Sequence, residues 1–301
     1  MIQSMPNLYS FLRYPKQDVD KMIGDLGKYY TSLAKAKKKH GVYQFKDNII
    51  KYRCLDMPNY YLKKIQSRIH RLLSNIPMPS YMHGSVNNSN NIIHAIQHTN
   101  HKYFLKIDLK DFFPKISNTQ VFNLFLENNF SVSVSSCLTK LTTYNHALPQ
   151  GAPTSPLLSN MVFRKTADKL HLLALKNEIT FTTYFDDLIF SSNNSFENLI
   201  SQFLDIIRQG YFHISHKKIK YRKDLCEITG VIVCKNSIYA PYKVRQRAKS
   251  NKYVFAYVRQ IERYNAALIN KMNGAMSEGR MENSKWCKLR SLYGWAPAES
   301  V

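Results

Sequence analysis

Cysteine is scarce and scattered. The five cysteines, Cys54, Cys137, Cys226, Cys234 and Cys287, are an odd number without a CxxC pair, which argues against a zinc site and against a disulfide framework. Free thiols, buried in a protein of the reducing cytosol, are the simple reading. Long apolar runs are missing too, since none approaches the roughly 20 residues of a membrane span. The start, Met1-Ile2-Gln3-Ser4-Met5-Pro6, lacks the basic stretch and apolar core of a signal peptide. There is no repeat, low-complexity tract or long linker. Acidic residues are the third scarcity: 20 Asp and Glu stand against 43 Lys and Arg, a net charge of +23. A surplus this large favours a polyanionic partner. With no membrane signal, nucleic acid is favoured over anionic lipid.

What is there suits a folded core. The 301 residues are 44% hydrophobic and 13% aromatic, enough for one large domain or two closely joined ones. Residues 1–40 read as a helical, basic N-terminal extension ending in Lys35-Ala36-Lys37-Lys38-Lys39-His40-Gly41. Two strands follow, 42–45 and 49–55, around an Asp47-Asn48 turn. Pro58 is expected to open a helix through Leu62, Ile65, Ile69 and Leu73. A polar loop over 83–91 leads to an apolar strand, 103–109. A helix is expected after Asn118, and the rigid loop Leu148-Pro149-Gln150-Gly151-Ala152-Pro153-Thr154-Ser155-Pro156 feeds another over 157–176. Strands 179–183 and 188–190, a helix over 196–209, a basic stretch 214–223 and one strand over 227–233 complete the middle. From 235 onward the chain reads as helical, with 13 Lys or Arg against 4 Asp or Glu, and 235 is the best candidate boundary.

Two adjacent acids, Asp186 and Asp187, lie between apolar strands. Taken alone they read as a solvated Asp-Asp turn. Asp108 ends the strand 103–109, so three acids at strand ends converge if those strands are neighbours in an antiparallel sheet. Hard divalent ions such as Mg²⁺ take a few carboxylates together with substrate phosphates. A pair of them about 3.5–4 Å apart serves in-line phosphoryl transfer. Three unrelated turn carboxylates remain the alternative at this point.

Order and spacing add a resemblance. Ile107-Asp108-Leu109-Lys110-Asp111-Phe112-Phe113-Pro114, then Leu148 to Pro156, then Tyr184-Phe185-Asp186-Asp187 resemble motifs A, B and C of the reverse transcriptases. Within that family the chain looks most like the bacterial retron-type enzymes. His94-Ala95-Ile96-Gln97-His98 falls where they have Asn-Ala-x-x-His, and Ile228-Thr229-Gly230 where they have Val-Thr-Gly. The likeness runs from about Arg53 to Val233, with an echo in Gly294-Trp295. His94 in place of Asn, and Phe185 in place of a small residue, are departures from the retron pattern.

The resemblance implies an α/β (α+β) right-hand polymerase: fingers and palm over 41–234, an antiparallel sheet plus helices, and a small helical thumb over 235–301. It implies RNA-templated DNA synthesis with Mg²⁺, two ions, or Mn²⁺ in their place. Asp108, Asp186, Asp187 and the Leu109 carbonyl would hold the metals, and Lys218 would protonate the leaving pyrophosphate. Arg53, Lys63, Asp111, Phe112, Phe113, Gln150 and Gly151 would bind the nucleotide, with Phe113 as the steric gate against a 2′-hydroxyl. His98, Thr229, Gly230, Lys243, Arg245, Arg247 and Lys249 would meet nucleic acid, and Tyr239, Tyr242, Tyr253 and Tyr257 are candidates to stack on bases. His94 and His98 share helical spacing, but no third metal ligand accompanies them. Implied partners are a structured non-coding RNA template and primer, dNTPs, the DNA product and an effector protein, in a bacterial cytoplasm, with a role in anti-phage defence. With no room after the thumb for an RNase H or maturase domain, a retroviral or mobile-intron enzyme is disfavoured. The rival readings are a defence reverse transcriptase with other priming or template use, and a non-catalytic RNA-binding scaffold.

Overall fold

Apolar residues at alternate positions build the central sheet, and the alternation decides which side chains reach each of its two faces. A computed structural model describes residues 1–39 and 41–277, so Cys287 and Gly294-Trp295 lie outside the described residues. The chain opens with helices α1 (Met5–Leu12) and α2 (Lys16–Gly24). Helix was expected to continue to residue 40. Instead β1 (Tyr30–Ala36) is a strand, paired antiparallel with β6 (Tyr52–Pro58) from Tyr30 opposite Pro58 to Ala36 opposite Tyr52. Seven cross-strand partners outweigh the modest helix preference of a Leu-Ala-Lys-Ala stretch. Between them run two-residue ladders, β2 (Lys38–Lys39) with β3 (Val42–Tyr43) and β4 (Phe45–Lys46) with β5 (Ile49–Ile50).

Pro58 closes β6 rather than opening a helix. Helix α3 (Tyr60–Leu73) starts at its Asn59 cap, whose side chain accepts from the Leu62 N–H at 3.1 Å. Next come α4 (Asn91–Ile96), β7 (Tyr103–Asp108), α5 (Asn118–Glu127), α6 (Val132–Thr142), α7 (Ser155–Lys176), β8 (Thr180–Tyr184), β9 (Asp187–Ser192) and α8 (Ile200–Gln209). Helix α6 has no counterpart in the sequence reading. Its serines and β-branched residues are poor helix formers, and what starts it is the Ser131 cap.

The central sheet has the order β10-β7-β9-β8, with β10 (Lys220–Lys223), and every pairing is antiparallel. Leu105, Ile107, Leu188 and Phe190 point into the main core, where the Phe190 ring lies 4.2 Å from Phe203 of α8. Phe104 and Ile189 point the other way, into a second core under α4. Lys106, Asp108 and Asp187 share that second face by the same alternation.

Sequence reading joined residues 227–233 in one strand, but the structure makes them a hairpin. β11 (Leu225–Ile228) and β12 (Val231–Cys234) meet at Thr229-Gly230, both left-handed at φ 45° and 83°, so glycine serves the turn rather than a bulge. β13 (Ser237–Tyr239) extends this sheet before α9 (Tyr242–Ala248) and α10 (Lys252–Ser277), so helix begins later than 235. Cys137, Cys226 and Cys234 are buried free thiols, whereas Cys54 is exposed on β6, against expectation. Among the described residues no helix is long and apolar enough to cross a membrane.

Candidate active site

Register brings the acids together. Asp108 ends β7 directly opposite Asp187 at the start of β9, and Tyr184 pairs with Asp187 from β8. The Leu109 N–H donates to the Asp186 carbonyl at 2.8 Å, and the Ser215 N–H to the Asp108 carbonyl at 2.9 Å. These bonds tie the turn to β7 and to the segment before β10. Like charges directly opposite across a ladder repel. The cost is visible at Asp186: burial first, then the charges of Asp187 and Asp108, push its carboxyl up to about 7.

Two ammonium groups offset that repulsion. Lys218 places Nζ 2.7 Å from both carboxylate oxygens of Asp108. Lys106 places its own 2.9 Å from Oδ2 of Asp187, with both side chains about four-fifths covered. Burial opposes the charge on Lys106, yet Asp187 outweighs it and the ammonium's pKa ends raised. Lys106 went unnoticed in the sequence, although its position two residues before Asp108 on one strand puts it on the same face.

The donor set fits a hard divalent cation. It is all oxygen, and its negative charge is only partly offset by the two ammonium groups. As the side chains stand, among the described residues no three His, Cys, Asp or Glu groups gather closely enough to hold an ion. The carboxylate oxygens of Asp108 and Asp187 are turned to lysines instead.

Around this centre the sequence-derived residues divide. Phe112 is buried, 4% exposed, among Phe113, Phe163 and Phe212. It is a core residue, and the expectation that it binds the nucleotide is corrected. Phe113 is half-buried, with its ring 6.2 Å from Phe185, and Asp111 is exposed with a left-handed φ of 51°. Gln150 is half-buried, and its carbonyl accepts from the Asp56 N–H at 3.0 Å. A Cβ on Gly151, φ 139°, would stand 2.9 Å from the Asp56 carbonyl oxygen, so only glycine lets the loop lie this close to β6. Arg53 and Lys63 are exposed on β6 and α3, elements that pack together.

His98 is fully buried, with Nδ1 2.6 Å from Ser191 Oγ and Nε2 2.6 Å from Thr182 Oγ1. Both ring nitrogens are engaged inside the fold, so the expected contact with nucleic acid gives way to a structural role. His94 is buried 5.5 Å from the Tyr184 ring, with Nδ1 3.3 Å from Thr229 Oγ1. Asn91, unremarked in the sequence, donates to the Thr229 carbonyl at 3.0 Å and to the Tyr257 hydroxyl at 2.6 Å. Asn91 thus ties α4 both to the Thr229 turn and to α10, and Gly230 turns beside Thr229. Lys243, Arg247 and Lys249 are exposed on α9 and at its end. Arg245 is not: half-buried, it lines a small cavity with Ile238, Val258 and Ile261, which removes it from the outer basic face. Of the four tyrosines, Tyr242 and Tyr253 are exposed, while Tyr239 and Tyr257 are half-buried.

Comparison with known proteins gives the chain's family. A family model described as reverse transcriptase (RNA-dependent DNA polymerase) matches residues 36–233. The retron Ec86 reverse transcriptase of Escherichia coli is 32% identical over 143 residues, 47% of this chain and 45% of that protein. The retron Se72 reverse transcriptase of Salmonella heidelberg (strain 579083-10) is 25% identical over 264 residues, 80% of this chain and 68% of that protein. The chain therefore spans less than half of the Ec86 enzyme's length and about two thirds of the Se72 enzyme's. Among solved structures, the telomerase of Candida albicans is similar with a TM-score of 0.48 and 10% identity, over 75% of this chain and 51% of that one. With the model covering well over half of its residues, the chain belongs to the reverse transcriptase (RNA-dependent DNA polymerase) family.

Proposed function

We propose that the chain is an RNA-directed DNA polymerase that copies a structured non-coding RNA into DNA in a retron-type system. The observation that carries this reading is the pairing of Asp108 with Asp187 across one ladder, with Asp186 in the adjoining turn, at the end of the sheet. We take 1–40 as an N-terminal extension, 41–234 as fingers and palm, and 235–301 as thumb. In the reaction the primer 3′-hydroxyl oxygen attacks the α-phosphorus of a dNTP. The new O–P bond forms as the bond to the pyrophosphate oxygen breaks.

Asp108, Asp186, Asp187 and the Leu109 carbonyl would hold Mg²⁺, or Mn²⁺. When bound there, such ions would lower the pKa of the attacking hydroxyl and counter the charge of the leaving pyrophosphate. Lys218 gives the departing pyrophosphate its proton. Arg53 and Lys63 hold the triphosphate, and their charge counters what builds on it. Gln150, with Asp111 beside the motif, orients the nucleotide, and Phe113 lies where a 2′-hydroxyl would fall. Lys243, Arg247 and Lys249 grip duplex phosphates, a contact that does not read sequence. Thr229 and Gly230 position the primer strand. A bacterial cytoplasm, an effector protein and a role in anti-phage defence go with the retron reading.

Primer extension on an RNA template with Mg²⁺ tests the proposal. Wild type should extend the primer, and the double variant Asp186→Asn, Asp187→Asn should not. Equal extension by both would end the reading.

A further inference from the structure

Several constraints meet at the ring of Phe185. The residue stands in the turn with φ 56°, a left-handed conformation that is costly for a bulky side chain. Its ring lies edge-on to Tyr184 at 5.0 Å and 75°, and tilted against Phe113 at 6.2 Å and 51°. Its third neighbour is Gly84. A Cβ there would sit 2.8 Å from ring carbons Cδ1 and Cε1 and 3.0 Å from Cγ, far inside ordinary carbon contact.

Gly84 is buried and held from several sides. The His83 N–H donates to the Thr183 carbonyl at 2.9 Å, Met82 bridges Thr183, and the Asn160 amide of α7 donates to the Gly84 carbonyl. The segment it rides on therefore has little freedom to back away. Its φ lies outside the left-handed region, so the backbone does not require glycine. The missing Cβ makes room for the ring. This accounts for a phenylalanine in the turn where the retron pattern has a small residue: the volume is vacated on the opposite segment.

We propose that Gly84 is a specificity-determining residue acting through Phe185: the space it leaves fixes where the Phe185 ring stops, and so how far Phe113 leans toward the sugar of the incoming nucleotide. The inference rests on the reading of Phe113 as the steric gate. An alanine at 84 drives the Phe185 ring toward Phe113 and narrows the space for a 2′-hydroxyl. An alanine at 185 removes the support behind Phe113 and widens it.

The test is the ratio of kcat/KM for a dNTP to that for the matching rNTP on one RNA template. Variants are Gly84→Ala, Phe185→Ala, the two combined, Phe185→Leu, and Phe113→Val as the reference for the gate. Phe185→Ala should lower discrimination about tenfold, and Gly84→Ala should raise it about threefold. The double variant should match Phe185→Ala within about twofold, because the glycine has no other route to the gate. Phe185→Leu, which keeps bulk without the ring, should fall between wild type and Phe185→Ala. If Phe113→Val lowers discrimination while Phe185→Ala and Phe185→Leu leave it unchanged, the inference is overturned and the gate survives. An effect of Gly84→Ala that is equal with and without the ring overturns it as well. An unchanged ratio in Phe113→Val removes the gate itself, and the inference with it. Should the Gly84 variant not fold, the two Phe185 variants decide alone.

Discussion

The ammonium of Lys218 holds both carboxylate oxygens of Asp108 at 2.7 Å. A group proposed to protonate pyrophosphate is thus engaged with the carboxylate that should take a divalent ion, and one must release the other. The Lys218 side chain is 61% exposed and that of Asp108 12%, so water weakens the pair and the competition is modest. Lys218→Gln should tighten Mn²⁺ binding about three- to tenfold, read from free Mn²⁺ by electron paramagnetic resonance. It should also slow single-turnover nucleotide addition about a hundredfold. Equal Mn²⁺ affinity in the two proteins would show that the lysine does not compete.

Asp186 costs the fold stability where it is ionised. Its folded-state pKa, about 7 against an ordinary 3.8, is that of an acid raised by folding. Below pH 4 it is protonated in both states and costs nothing. As pH rises from 4 to 7 the unfolded chain loses the proton first, so the penalty grows, and above 7 it is constant. Asp186→Asn should therefore stabilise the metal-free protein at about pH 8, by about 2–4 kcal/mol, while abolishing extension. The gain should shrink toward zero as the pH falls to about 4. Thermal unfolding of both proteins across that range measures it, and a gain that ignores pH would refute the cause given.

The histidines have the opposite sign. Burial takes His83 down to about 4 and holds His94 and His98 well below the usual imidazole range, with neighbouring histidines adding to the shift for the last two. All three are neutral in the fold, so their contribution is intact above about 6.5 and is lost as the unfolded chain protonates below it. His98→Gln should soften the fall in Tm between about pH 6.5 and 5. It should also cost about 1–3 kcal/mol at pH 8, from bonds to Ser191 and Thr182 that it cannot both keep. An identical pH slope in wild type and variant would contradict this.

Much of the site is legible in the sequence because strands carry their own geometry. Once 103–109, 179–183 and 188–190 read as strands, period-two alternation puts Asp108 and Asp187 on one face, and only register remains to be found. Lys106 is readable by the same rule, but a lysine in a basic chain attracts no notice. His98 misleads for the converse reason: histidine spacing says nothing of whether hydroxyls such as Thr182 and Ser191, far off in sequence, will surround it. Thr229-Gly230 reads locally as the middle of one strand, and only the pairing of Glu227 with Ile232 makes it a turn. Gly84 carries no signal at all, since its meaning lies in the ring of Phe185 about a hundred residues later.

Asn91 holds the two halves of the proposed nucleic-acid surface together. Its amide bonds the Thr229 carbonyl and the Tyr257 hydroxyl, and its backbone carbonyl accepts from Thr229 Oγ1 at 3.3 Å. The Thr229-Gly230 turn and α10 therefore share one residue of α4. Asn91→Ala breaks both amide bonds and should cost about 1–2 kcal/mol of stability. The larger effect should be on processivity, because α10 is freed to move against the turn. Under a heparin trap, products of Asn91→Ala should be several-fold shorter than wild type, with a smaller change in the rate of the first addition. Tyr257→Phe loses only one of the two bonds and should lie between them. If Asn91→Ala slowed the first addition as much as it shortened the products, the residue would be supporting the carboxylate turn rather than joining the Thr229 turn to α10.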